Sequence, residues 1–166
     1  MSGGHGPGST EAGGGIGPPV ARVRALALAL VLDRDHALLA EGVDSVTGEH
    51  FLRPLGGEIE FGERARAAAA RELREEIQRE IRVGALLGVT ENLFAYRGGP
   101  GHEIVFEFLA EWSPGSAPAD LAPLVAREGG QTFRARWVPL AEILGGMHRV
   151  YPEGLPGRLA AWLNTI

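Results

Sequence analysis

The sequence predicts a layered α/β domain, a sheet gathered around one long helix with short helices at the C-terminal end. Three observations carry this. Apolar runs of strand length recur between polar turns, one segment rich in Ala, Glu, Arg and Leu has helical character, and two short helical stretches follow the last strand. The chain has 166 residues, of which 45% are hydrophobic. That is the size of one domain and enough to bury a core without disulfides or structural metal.

Taken in order, residues 1–19 (MSGGHGPGSTEAGGGIGPP) hold 8 of the 25 glycines and 3 of the 11 prolines. Such a segment buries too little apolar surface to offset its ordering entropy and reads as a flexible tail, leaving residues 20–166 as the domain. Val23–Leu32 reads as a buried strand ending at the polar turn Asp33-Arg34-Asp35. Its alanines and leucines also suit a helix, so the strand reading rests on its length and on Val20, Val23 and Val31. His36–Val43 is its expected hairpin partner. Phe51–Phe61 reads as extended but broken by Pro54 and Gly56-Gly57. The long helix spans about Glu63 to Ile77. Leu86–Phe94 and Glu103–Trp112 read as strands joined by a turn over Arg97–Gly101, and Ser113–Ala122 as a Pro/Ala/Ser loop. Phe133–Val138 is a further strand, with short helices at Ala141–Leu144 and Leu155–Leu163.

Composition removes several function classes. With no cysteine there is no disulfide scaffold, zinc–thiolate site or thiol catalysis. All 16 basic residues are arginine, so neither a Schiff-base lysine nor a phosphate-binding P-loop lysine exists. A formal net charge of -5 argues against a general nucleic-acid-binding surface. The apolar run Ala25–Leu32 is too short to span a bilayer, and no basic segment followed by an apolar one precedes it. The expectation is a soluble, cytoplasmic protein without membrane contact.

Glu72, Glu75 and Glu76 on the long helix fall within an arc of roughly 100°. Ala69, Ala70, Leu73 and Ile77 form a separate stripe suited to packing on a sheet. Three neighbouring carboxylates repel one another. They are either a solvated helix face paired with Arg71, Arg74 and Arg79, or a site for a hard divalent cation, which takes several oxygen ligands. Ala65 and Ala68, on the carboxylate side, are expected to leave room for a ligand.

Upstream residues separate the two readings. Gly57-Glu58-Ile59-Glu60-Phe61-Gly62-Glu63 leads into Arg71-Glu72-Leu73-Arg74-Glu75-Glu76. This run resembles the Nudix box, G-x5-E-x7-R-E-U-x-E-E-x-G-U with U aliphatic, and Gly57, Glu63, Arg71, Glu72, Leu73, Glu75 and Glu76 match at the right spacing. Arg53-Pro54-Leu55-Gly56-Gly57 resembles the family's usual lead-in. Leu87-Gly88-Val89, Glu91-Asn92-Leu93-Phe94, His102-Glu103-Ile104 and Tyr151-Pro152-Glu153-Gly154-Leu155 resemble downstream segments. The likeness runs from about Ala21 to the C-terminus. Two positions depart from it: Gln78 stands for the final glycine and Arg79 for the final aliphatic residue. A left-handed residue is favoured where Gln78 stands, and a non-glycine there costs about 1 kcal/mol. The change bears on how the helix ends more than on the carboxylates, and Ile81 can take the apolar place that Arg79 leaves.

The resemblance implies an α/β/α sandwich around a mixed sheet. It implies a metal-dependent hydrolase, using Mg2+ or Mn2+, that splits the pyrophosphate bond of a nucleoside diphosphate linked to another moiety. It implies Glu72, Glu75 and Glu76 as metal ligands together with the backbone carbonyl of Gly57. One of Glu75, Glu76 or a carboxylate from elsewhere, with Glu103 the candidate, would polarise the attacking water. Glu63 and Arg71 match positions that brace the loop. A direct contact between them requires Glu63 to fold back on the helix, since eight helical residues span about 12 Å. Arg53 is the expected phosphate contact, with an ordinary ion pair as the alternative. His102 either meets a phosphate or caps its strand.

The substrate is less defined. Ala95 stands where ADP-ribose pyrophosphatases often carry proline. Tyr96 falls in the window where dinucleoside polyphosphate hydrolases often carry tyrosine, and it suits either stacking on a base or a strand-end core position. Phe94 and Tyr151 share that ambiguity. The expected partner is a small-molecule nucleotide. Homodimers are common in the family, although no residue here marks an interface. The competing reading is a non-catalytic nucleotide-binding or regulatory module of the same fold, motivated by Gln78 alone.

Overall fold

In a computed structural model, residues 21–166 are described; the tail expected over residues 1–19, and Val20, lie outside them. The strands are β1 (Arg24–Asp33), β2 (His36–Val43), β3 (His50–Arg53), β4 (Leu55–Glu58), β5 (Ile81–Tyr96), β6 (Gly99–Trp112), β7 (Leu124–Glu128) and β8 (Gln131–Pro139). The helices are α1 (Ala65–Ile77), α2 (Leu140–Leu144) and α3 (Leu155–Leu163). The main sheet runs β5-β6-β1-β2-β8-β7, with β3 added to β2 and β4 to β1. It is mixed, because β1 runs parallel to β6 and antiparallel to β2 and β4.

β1 is buried on both faces, which explains its unbroken apolar run. Ala27, Ala29 and Val31 pack with Ala68, Ala69, Leu73 and Ile77 of α1. Leu30 faces the other way and packs with Ile143 of α2 and with Leu155 and Leu159 of α3. Helices thus cover both faces, as an α/β/α sandwich requires.

Several boundaries differ from the sequence reading. β5 begins five residues earlier than expected, at Ile81. Its ladder shifts register between Val83 and Leu86 and again between Leu86 and Gly88, so the local glycines mark bulges instead of a strand end. The turn expected over Arg97–Gly101 is only Arg97-Gly98, both at positive φ (51° and 77°), and Gly99 already pairs with Tyr96. Such two-residue turns follow the twist of the strands they join. Glu103 consequently lies inside β6 and does not open it. Strand β7 was not anticipated: only Ala126 of its five residues is buried, too weak a pattern to read, and its pairing with β8 is set by the Gly129-Gly130 turn. The helix starts at Ala65, two residues late, because Gly62 at φ 83° bends the preceding loop and Arg64 is extended.

Candidate active site

The site begins where β4 lies beside α1. β4 is only Leu55–Glu58, and its two glycines are needed for close approach. At Gly56, φ is 136°, and a side chain would strike the backbone carbonyl of Ala27. At Gly57, a β-carbon would stand 2.5 Å from Cδ of Glu72 and 2.6–2.7 Å from its carboxylate oxygens. The bare strand therefore lets the helix carboxylates press against the main chain.

The three helix glutamates have different surroundings. Glu76 is 1% exposed. Its Oε2 accepts the Gly56 N–H at 3.0 Å, while its Oε1 is buried without a partner. Burial pushes its carboxyl up to about 8, opposed by the nearby Arg53 charge and reinforced by that of Glu128. Glu72 is mostly buried and Glu75 is exposed. Ala68, expected to flank them with open space, is instead fully buried in the core, and Ala65 packs against that core. The small side chains let α1 sit close to the sheet and do not open a ligand space.

Arg71 ties this cluster together. Its Nε and one terminal nitrogen donate to the two oxygens of Glu63, both at 2.9 Å. The same nitrogen donates to the Glu58 carbonyl at 3.1 Å, and the other donates to Glu72 at 2.7 Å and reaches Glu75 at 3.5 Å. Glu63 does fold back, held by a backbone turn with Glu60. The Arg71 hydrogen bonds hold its carboxyl below the usual range. The helix exit is also intact. Gln78 adopts the left-handed conformation (φ 54°, ψ 38°), its N–H reaches the Arg74 carbonyl, and its side-chain amide donates to the Glu75 carbonyl at 2.9 Å. Ile81 packs against the core beside α1, while Arg79 turns to the Ser116 carbonyl.

Beside the cluster is a cavity of about 530 Å3, and five of the anticipated residues line it: Arg53, Phe94, Tyr96, Glu103 and Tyr151. Its polar part holds two ion pairs, Arg24–Glu103 at 3.4 Å and Arg53–Glu128 at 3.6 Å. Burial raises the Glu103 carboxyl above its ordinary range, partly countered by Arg24, Arg53 and a hydrogen bond from Asn92. The Arg53 charge thus acts on both Glu76 and Glu103 and links the cavity to the helix carboxylates. His102 is not among the lining residues. It points to the other face of β6 from Glu103 and pairs with Glu91 at 2.9 Å.

Glu128 and Arg24 were missed from sequence. Glu128 belongs to the unanticipated β7. The only signal for Arg24 was its place at the start of β1, and a role there depends on the β1–β6 register that sets it opposite Glu103.

Among the described residues, no three His, Asp or Glu side chains are already gathered as a cation cage. The donor set nonetheless fits a hard divalent ion. The unpartnered Glu76 oxygen is a buried donor with unmet capacity, and Glu72 is held beside it against the Gly57 main chain.

Known proteins share this architecture. Residues 22–156 match the model of the NUDIX domain family. The Escherichia coli ORF135 protein, in its solution structure, aligns with a TM-score of 0.56 at 22% identity, over 86% of this chain and 90% of that one. A MutT NUDIX hydrolase from Burkholderia pseudomallei aligns at 0.55 and 21% identity, over 72% and 85% respectively. A NUDIX hydrolase from Nitrosomonas europaea aligns at 0.58 and 19% identity, over 87% and 90%. The family match defines a hydrolase of phosphoanhydride bonds. The chain belongs to the NUDIX family. No helix among the described residues is long and apolar enough to cross a membrane.

Proposed function

We propose that this protein is a cytoplasmic pyrophosphohydrolase that uses Mg2+ or Mn2+ to split the pyrophosphate bond of a nucleoside diphosphate linked to another moiety. The observation that carries the reading is Glu76, a buried carboxylate with one oxygen fixed by Gly56 N–H and the other unpartnered. Burial favours the protonated form of this carboxyl, and a cation taking the proton's place would stabilise the carboxylate. Glu72, Glu75, Glu76 and the Gly57 carbonyl would hold the ion. When bound, it neutralises charge on the pyrophosphate and lowers the pKa of a coordinated water.

The remaining work falls to the chain's own side chains. Arg53 binds a phosphate oxygen, for which its planar guanidinium is suited, and exchanges its exposed partner Glu128 for the substrate. Glu103 accepts the proton of the attacking water. Its burial supports this, because a carboxylate with raised proton affinity is the better general base. Glu75 and Glu76 are the alternative acceptors. Tyr96 contacts the organic part of the substrate. His102, paired with Glu91 outside the cavity, takes no part.

The test is hydrolysis of a panel spanning ADP-ribose, nucleotide sugars, dinucleoside polyphosphates and nucleoside triphosphates, with Mg2+ and with Mn2+. Cation-dependent turnover of at least one compound is expected. Binding without turnover of any would replace the reading with that of a nucleotide-binding module.

A further inference from the structure

Resting on that reading, we propose that the part of the cavity bounded by Phe51, Tyr96 and Tyr151 is the seat of the substrate's planar base, and that Asp44 is its positioning residue.

Three separate segments supply the rings. Phe51 comes from β3, and its ring lies against Gly42 of β2, where any β-carbon would collide with it. Tyr96 ends β5. Tyr151 is brought in by a short stretch that pairs with β3, its N–H reaching the Leu52 carbonyl at 2.8 Å. Phe51 stands edge to face with Tyr96 at 6.0 Å and with Tyr151 at 5.4 Å between ring centres. All three line the same cavity as Arg53 and Glu103. Asn92 pairs with Glu103 across the β5–β6 ladder, and Tyr96 lies four residues further along β5. Four extended residues span about 13 Å, so the aromatic and charged parts lie apart along one wall. A nucleoside 5′-diphosphate bridges such a gap with its ribose and phosphates. A half-buried group of rings is what a π-faced base stacks on, whereas a compact polar diphosphate gains nothing from it.

Asp44 holds this end in place. It is 6% exposed. Its Oδ1 accepts the N–H groups of Val46 at 2.8 Å and Thr47 at 3.3 Å within its own loop. Its Oδ2 accepts the Arg97 N–H at 3.1 Å. Arg97 is the first residue of the β5–β6 turn, directly after Tyr96, and its guanidinium lies 5.0 Å from the Tyr96 ring centre. One carboxylate therefore joins the β2–β3 loop to the hairpin tip and sets where Tyr96 stands relative to Phe51. Asparagine at this position keeps one acceptor, so one of the two loops loses its bond.

The test is calorimetric titration of AMP, GMP, CMP and UMP in Mg2+, with ribose 5-phosphate as the base-free probe. At least one nucleotide is expected to bind about tenfold more tightly than ribose 5-phosphate. Tyr96→Ala and Asp44→Asn should each remove most of that difference, and Tyr96→Phe should restore it. Ribose 5-phosphate that binds as tightly as every nucleotide, or a difference that survives Tyr96→Ala, would overturn the proposal. So would an equal loss for both kinds of ligand in Asp44→Asn, which a purely structural role predicts. If that variant does not fold, the two Tyr96 variants decide. Monophosphates that bind as expected, beside a panel of nucleoside diphosphate derivatives of which none is hydrolysed, would refute the proposed function and leave the base seat standing. Equal kcat/KM for nucleoside diphosphate derivatives and 5-phosphoribosyl 1-diphosphate would overturn the base seat alone.

Discussion

Gly57 leaves its β-carbon position to Glu72, whose carboxyl carbon lies 2.5 Å from where that atom would be. The glycine and the glutamate are fifteen residues apart in sequence, yet one can hold its place only because the other has no side chain. Gly57→Ala is expected to push the Glu72 carboxylate aside while leaving the fold intact, because the displaced atoms are the end of a flexible side chain. The affinity for Mn2+, followed by titration, should fall by about tenfold or more, with little change in melting temperature.

Glu76 and Glu63 give opposite pH signatures. The Glu76 carboxyl is raised from its ordinary 4.5 to about 8 in the folded state, so folding favours its protonated form. Its contribution to stability is fully present below 4.5 and is lost as pH rises through 8. Burial raises Glu103 in the same direction. In the presence of a chelator, the melting temperature should decline across that window. Glu76→Gln should flatten the decline, and added Mg2+ should oppose it. A wild-type melting curve that is flat in chelator would contradict this assignment.

Glu63 acts on the acid side. Its carboxyl is held low by Arg71, so the stability it contributes is present above the ordinary glutamate range and is lost as pH falls through its depressed folded value. Arg71→Lys cannot reproduce the paired bonds to Glu63 or the reach to Glu72. Acid melts should show a shallower acid limb for this variant, and hydrolysis should drop because Glu72 loses a partner.

On the same face of β6 as Glu103 but four residues further along, Glu107 is 1% exposed and is gripped by both Nε and a terminal nitrogen of Arg158 at 2.7 Å, with Thr90 donating a third bond. Removing the arginine leaves a buried unpaired charge. Arg158→Met should lower stability by about 3 kcal/mol in denaturant titration. Below its melting temperature it should hydrolyse substrate normally, since this pair lies with α3 and not with the cavity.

These residues show what could be read before the structure. The spacing of Gly57, Glu63, Arg71, Glu72, Glu75 and Glu76 was legible because the strand, loop and helix that carry them are continuous in sequence, so local geometry alone brings them together. The left-handed Gln78 was legible for the same reason. The separate environments of the three glutamates were not. Helical angle puts them on one arc, but only the position of β4 and the sheet decides that Glu76 is buried while Glu75 is exposed. Ala68 was misjudged on that account. Glu128 and Arg24 enter through strand pairing across the fold, and β7 itself has too little apolar pattern to announce it. Asp44 looks like any loop aspartate until the hairpin tip, 53 residues away, is found against it.

The most direct test of the account is 31P NMR of a nucleotide substrate incubated with wild-type protein and with Glu76→Gln, each with and without Mg2+. Wild type with Mg2+ is expected to split the pyrophosphate bond into two phosphate-bearing products. Loss of either the ion or the Glu76 carboxylate should reduce the rate by about a hundredfold or more. Wild-type rates in Glu76→Gln, or equal rates with and without the ion, would contradict it.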